Sequence, residues 1–96
     1  MKYLSIPGIV LSSKKLDGDE KLLVAYIYNW ERVGQKCAKA ISYMEKALGI
    51  NDIDPVLMRL LQKQIIFENN LEFYLAPKLR DDIEKYILEG KNKWQE

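Results

Sequence analysis

The stretch Ala40-Ile41-Ser42-Tyr43-Met44-Glu45-Lys46-Ala47-Leu48-Gly49-Ile50, continued by Asp54-Pro55-Val56-Leu57-Met58-Arg59-Leu60-Leu61-Gln62-Lys63 and by Ile65 to Leu75, decides the fold. Ile41, Met44 and Leu48 recur at three- and four-residue spacing, which predicts one buried helical stripe from about Ala40 to Leu48. Gly49 suits the left-handed position that ends a helix. Asp54 precedes Pro55, and proline fits the first position of a new helix. In that helix, Asp54 to Lys63, Leu57, Leu60 and Leu61 form the buried side, and Val56 joins them. Arg59, Gln62 and Lys63 fall on the opposite side. Ile65 and Phe67, then Leu71, Phe73 and Leu75, alternate as paired strands do, around a tip at Glu68-Asn69-Asn70. The stretch therefore reads as two short helices joined by a glycine turn and followed directly by a hairpin.

Toward the N-terminus, Asp17 and Glu20 have the spacing of a capping box, and both acids suit the positive end of a helix dipole. The helix they open runs to about Trp30. Leu22, Tyr26 and Trp30, with Leu23 and Ile27 beside them, leave little polar surface, so this helix belongs at the centre of the core. Before it, Tyr3 to Ile6 reads as a short strand ended by Pro7-Gly8, followed by apolar Ile9-Val10-Leu11 and a polar loop through Lys14 and Lys15. After it, Gly34 marks a turn, and Lys36 to Lys39 lead into the next helix. A last helix starts at Ala76-Pro77 and carries Leu79, Ile83 and Ile87 with Tyr86 alongside. Gly90 is expected to end it. The polar tail holds one large apolar residue, Trp94. The expected architecture is a single α+β domain over residues 1–96, with a three-helix core, a two-stranded hairpin, a short N-terminal strand and a C-terminal helix.

Composition narrows the function. Fifteen lysines and arginines face 14 acids, a net charge of +1. Any nucleic-acid contact must then come from local clustering of cations rather than from bulk charge. Histidine is absent, which removes the commonest general base and metal ligand. Cys37 is the sole cysteine, so no intrachain disulfide or cysteine-based zinc site can form, and a reducing cytoplasm fits best. The start lacks the apolar core of a signal peptide. The longest apolar run, Leu22 to Tyr28, is too short to span a bilayer, so no membrane association is expected. There is no glycine-rich phosphate loop and no nucleophile beside an evident base, so neither an enzyme nor a cofactor is expected. Asp52 and Asp54 share the opening spacing of a calcium loop. The glycine and closing glutamate of such a loop are missing, and acids before a helix explain the pair better.

The helix–turn–helix–hairpin layout resembles the winged helix-turn-helix fold. The opening segment, Ile6-Pro7-Gly8-Ile9-Val10-Leu11 with Leu16 and Glu20-Lys21-Leu22-Leu23, looks like the N-terminal winged-helix domains of phage and plasmid replication proteins, the DnaD-like and replication-initiator group. Small accessory proteins of plasmid partition and conjugative relaxosomes share the plan. The resemblance implies sequence-specific binding of double-stranded DNA in replication, transfer, partition or transcription control. It implies that Asp54 to Lys63 is the recognition helix in the major groove and Ile65 to Leu75 the wing. Asn69 and Asn70 would then lie near the backbone or minor groove, with Lys36 and Lys39 on phosphates. A homodimer through the C-terminal helix and Trp94, or a replication or transfer protein as partner, would supply the affinity that one small domain lacks.

The residues depart from that pattern at one place. Asn51-Asp52-Ile53-Asp54-Pro55 sets two carboxylates where recognition helices usually open with Ser, Thr or basic residues, and the connection from Gly49 is about one residue longer than usual. Glu68 adds a third acid at the wing tip. The DNA contacts are therefore expected at Arg59, Gln62 and Lys63 further along the helix, at Asn69 and Asn70, at Lys36 and Lys39, and at Lys14 and Lys15. Each has a plainer explanation: exposed charges usually solvate helix faces, and asparagines suit tight turns. Tyr3 and Tyr74 could stack on bases, although strand tyrosines usually pack. The same acids and the near-neutral charge support an alternative, a protein-interaction module with a winged-helix shell and no DNA binding.

Overall fold

The structure, a computed structural model, describes residues 4–94, and side chains for residues 4–88. In chain order it contains α1 (Gly8–Leu11), α2 (Gly18–Arg32), β1 (Cys37–Ala38), α3 (Ile41–Leu48), α4 (Asp54–Gln62), β2 (Ile66–Glu68), β3 (Glu72–Leu75) and α5 (Pro77–Trp94). The class is α+β, with helices packed around a small antiparallel sheet of order β1-β3-β2.

Helix α2 is the axis of the core. Asp17 Oδ1 accepts from the Glu20 N–H at 2.8 Å, and Glu20 Oε1 accepts from the Asp17 N–H at 2.9 Å, so the capping box forms in full. Every residue from Leu23 to Tyr28 is buried. The helix can be apolar nearly all round because α1, α3, α4, β1 and β3 all pack on it. Each large side chain taken out of water there contributes about 1.5–3 kcal/mol before entropy is subtracted.

The α3–α4 connection follows from two residues. Gly49 adopts φ 68°, and the next N–H, of Ile50, returns to the Glu45 carbonyl at 3.1 Å. Glu45 then accepts the Ile53 N–H through Oε2 at 2.9 Å. The start of α4 is thus satisfied from α3, since Ile53 itself has no capping side chain. Ile53, Val56, Leu57 and Leu60 seat α4 on the core.

The hairpin forms, but its inward face differs from the expected one. Ile66 pairs with Leu75, Phe67 with Tyr74 and Glu68 with Phe73. Ile66, Phe73 and Leu75 point inward, whereas Phe67 and Leu71 are exposed. The cause lies at Gln64, whose φ of 59° turns the chain one residue before Ile65 and resets the alternation. Leu71 falls beyond the last strand pair, in the tip. Phe67 and Tyr74 pack their rings against each other on the outer side, with centroids 5.9 Å apart.

Four further expectations are corrected. Met1 to Tyr3 lie outside the described residues, and Leu4 to Pro7 form no strand. The side chain of Asn29 takes the place of a partner strand: Oδ1 accepts from Ser5 N–H at 3.3 Å and Nδ2 donates to Ser5 C=O at 2.7 Å. Ile9 to Leu11, read as part of a strand-and-loop lead-in, belong to α1, which lies against α5. A Cβ on Gly8 would come within 2.7 Å of the Tyr86 ring. Lys36 to Lys39 contain a third strand, because Cys37 and Ala38 pair with Phe73 and Glu72. At the other end, α5 runs through Gly90 to Trp94 instead of stopping. The Trp94 side chain, named above for dimer contacts, lies outside the described side chains.

Candidate nucleic-acid interface

The residues singled out from the sequence gather in two groups. The first surrounds the C-terminal half of α4. Lys63 Nζ donates to both Glu20 carboxylate oxygens, at 2.8 and 3.0 Å, and to the Lys15 carbonyl at 3.0 Å. Arg59 Nη2 reaches Asp17 Oδ2 at 3.2 Å, and its Nε lies 3.6 Å from Glu20 Oε2. These bonds draw the Lys14-Lys15 loop, the capping box of α2 and the flank of α4 into one corner. Lys14 and Lys15 are exposed there, and their side chains form no ion pair among the described residues.

Glu20 is the pivot of that corner. It is 1% exposed, on the same helical stripe as Leu23, Val24 and Ile27. Burial pushes its pKa up, but the Lys63 ammonium and the Asp17 N–H both bond the charged form. Together they outweigh burial and hold the carboxyl below the ordinary glutamate value. Arg59 and Lys63 therefore do a structural job. They compensate a buried carboxylate and tie α4 to α2, and they are not free cations on the outer face.

The outer face of α4 is different. Pro55, Met58 and Gln62 lie opposite Val56, Leu57 and Leu60 and are exposed, Met58 to 57%. This face carries a donor and acceptor amide and a thioether but no cation. Asp52 and Asp54 stand exposed at its start. Asp52 Oδ1 accepts the Asp54 N–H at 3.3 Å, a local turn contact.

The second group surrounds the hairpin. Lys39 Nζ lies 3.0 Å from Glu68 Oε2 and 5.3 Å from the Phe73 ring centroid. Lys36 Nζ lies 3.9 Å from Glu72 Oε2. Asn69 shapes the tip: its Oδ1 accepts from the Leu71 and Glu72 N–H groups, each at 2.9 Å, and its Nδ2 donates to Glu72 Oε1 at 3.0 Å. Asn70 is exposed and makes no side-chain hydrogen bond among the described residues. A cleft of about 380 Å³ lies here, lined by Lys36, Asn69, Asn70, Leu71 and Glu72. No hydrogen bond or ion pair joins this group to the first among the described residues.

Sequence reading missed the acids that hold the cations, Asp17 and Glu20 for one group and Glu68 and Glu72 for the other. It also missed Met58 as a surface residue. One signal for the first pair was available: Glu20 falls in register with an apolar stripe, and a carboxylate in that position needs a cation.

The described residues contain no group of three or more His, Cys, Asp or Glu placed to hold a metal ion. Cys37 is buried, and burial, with Glu31 and Glu72 nearby, raises its thiol pKa to about 12, which makes it a poor nucleophile. No described helix is long and apolar enough to cross a membrane. No family model, curated protein or solved structure matches the chain.

Proposed function

We propose that the chain is a winged helix-turn-helix domain that binds double-stranded DNA in the cytoplasm, as part of a plasmid or phage system for replication, transfer, partition or transcription control. The observation that carries this reading is the solvent face of α4. The helix is seated on the core by one side only, its opposite side is open, and it sits between a glycine turn and a hairpin in the order helix–strand–helix–helix–hairpin with β1 paired to β3.

In this reading α4 enters the major groove with Gln62 as the base-reading amide and Met58 as an apolar contact for a thymine methyl. Lys14 and Lys15, carried beside α4 by the Lys63 bond to the Lys15 carbonyl, neutralise phosphates. The hairpin tip, with Asn70 exposed, follows the adjacent backbone. A homodimer would double the contacts and set the half-site spacing. The test is fluorescence anisotropy of labelled 30-bp duplexes drawn from the protein's genomic neighbourhood, with salt varied. Binding that weakens steeply with salt supports the reading. No binding at low salt removes it.

One observation favours a second reading. Arg59 and Lys63 each have a carboxylate partner, which leaves α4 with a partly apolar outer face that carries no free cation and has exposed Asp52 and Asp54 at its start. Such a face suits a protein partner, for instance a replication or transfer protein. Pull-down of one defined replication protein in the absence of any duplex binding would select it.

A further inference from the structure

Both lysines beside the hairpin lie near acids of the hairpin itself, Lys39 in a close ion pair with Glu68 and Lys36, still largely exposed, 3.9 Å from Glu72. The register explains why. Ala38 lies opposite Glu72, and Glu68 lies opposite Phe73, so the lysines flanking β1 meet carboxylates of both hairpin strands. Lys39 is fixed most firmly: its ammonium is 3.0 Å from Glu68 and lies over the Phe73 ring, 5.3 Å from the centroid. Glu72 is positioned by the Asn69 amide, and its side chain is only 16% exposed, while Lys36 is 83% exposed. At 3.0 Å the Glu68 carboxylate offers Lys39 what a phosphate oxygen would, a negative charge and a hydrogen-bond acceptor.

We propose that Glu68 and Glu72 are specificity-determining residues that stand in for DNA phosphates, Glu68 by pairing with Lys39 and Glu72 by lying beside the more exposed Lys36 in the free protein. This inference rests on the DNA-binding reading above. A duplex gains Lys39 only by displacing Glu68, and gains the full attraction of Lys36 only by competing with Glu72. Sequence-independent attraction is thereby kept low, and a duplex that also fits the α4 face is the one able to complete the exchange. The wing then contributes discrimination more than bulk affinity.

The test uses the full chain with Glu68→Gln and Glu72→Gln together. Glutamine keeps the oxygen that accepts from Asn69, so the tip geometry is retained. Anisotropy with a random-sequence 30-bp duplex at about 50 mM salt is expected to show binding about five- to tenfold tighter than wild type. The salt dependence should steepen by about 0.9 in log–log slope from the released Lys39, with a smaller addition from Lys36. Asp81→Asn with Asp82→Asn, two exposed acids on α5, makes the same change in net charge and is expected to give a clearly smaller gain. Glu68→Gln alone should give part of the effect if the double variant folds poorly. Wild-type binding with no gain in the glutamine variants overturns the inference and leaves the DNA reading standing. An equal gain in the α5 control also overturns it, because bulk charge then explains the result. No duplex binding by any variant at low salt removes both.

Discussion

Lys63 Nζ sits 2.8 and 3.0 Å from the two carboxylate oxygens of Glu20, joining the end of α4 to the first turn of α2 across 43 residues of chain. The Glu20 side chain is 2% exposed and Lys63 is 40% exposed, so the bond lies at the edge of the core. Lys63→Met leaves the buried carboxylate with the Asp17 N–H and, as its one cation, Arg59 at 3.6 Å. The expected loss is about 2 kcal/mol, below the figure for a fully buried pair because of that remaining cation and the solvated lysine. Urea unfolding should show a lower midpoint with an unchanged slope. Glu20→Gln combined with Lys63→Met should recover part of the loss, and an additive double variant would count against direct coupling.

The same contact sets a dependence on pH. The Glu20 pKa is lowered in the folded state, so the unfolded chain binds more protons at that site as pH falls. Its stabilising contribution is complete above the ordinary glutamate value and is lost as pH drops through the lower folded value. Stability measured from pH 7 down to about 3 should fall for wild type, and less steeply for Glu20→Gln. Parallel curves for the two proteins would show that Glu20 has no part in acid sensitivity.

These contacts also mark how far the sequence could be read. Asp17 and Glu20 announced their helix because a capping box is local, and Gly49 announced the end of α3 because only a left-handed residue closes that turn. Pro55 placed the start of α4 for a similar reason. The pairing of Arg59 and Lys63 with Asp17 and Glu20 has no local signature. Exposed-looking cations on a helix read the same whether they face solvent or a carboxylate brought there by the fold. The inward face of β2 was missed because it turns on the backbone at Gln64, a residue type with no special claim to positive φ. The N-terminal strand was expected from alternation in Tyr3 to Ile6. The fold instead satisfies Ser5 with the Asn29 amide, 24 residues away.

Asn29 gives a third prediction. It is 5% exposed and makes three hydrogen bonds, two to the Ser5 backbone and one to the Ala25 carbonyl. Asn29→Leu keeps the branched four-atom shape of the side chain but leaves the Ser5 N–H and C=O without this partner. The expected cost is about 1–2 kcal/mol, concentrated at the N-terminal segment. Hydrogen exchange should speed up at Ser5 while amides in the middle of α2 slow or hold. Unchanged exchange at Ser5 would refute the clip.

Cys37 supplies a fourth. With the thiol fully buried and its pKa at about 12, almost no thiolate exists at pH 8. Labelling by iodoacetamide should therefore require opening of the β1–β3 pairing and accelerate in step with urea-induced unfolding. Rapid labelling of the native protein, at a rate near that of a free thiol, would contradict the burial that defines this part of the core.

The DNA-binding proposal is tested most sharply by separating free cations from structural ones. Lys14 and Lys15 are exposed and unpaired among the described residues, whereas Arg59 holds Asp17 and lies near Glu20. Lys14→Gln with Lys15→Gln should leave the urea midpoint unchanged and weaken duplex binding. The log–log salt slope should fall by up to about 1.8, since each phosphate contact contributes about 0.9. Arg59→Ala should behave in the opposite way, with a lower unfolding midpoint and a salt slope close to wild type. If Arg59→Ala instead flattens the salt dependence while stability holds, then Arg59 exchanges Asp17 for a phosphate on binding. In that case the corner around α4 works by the same carboxylate-for-phosphate replacement inferred for the hairpin lysines.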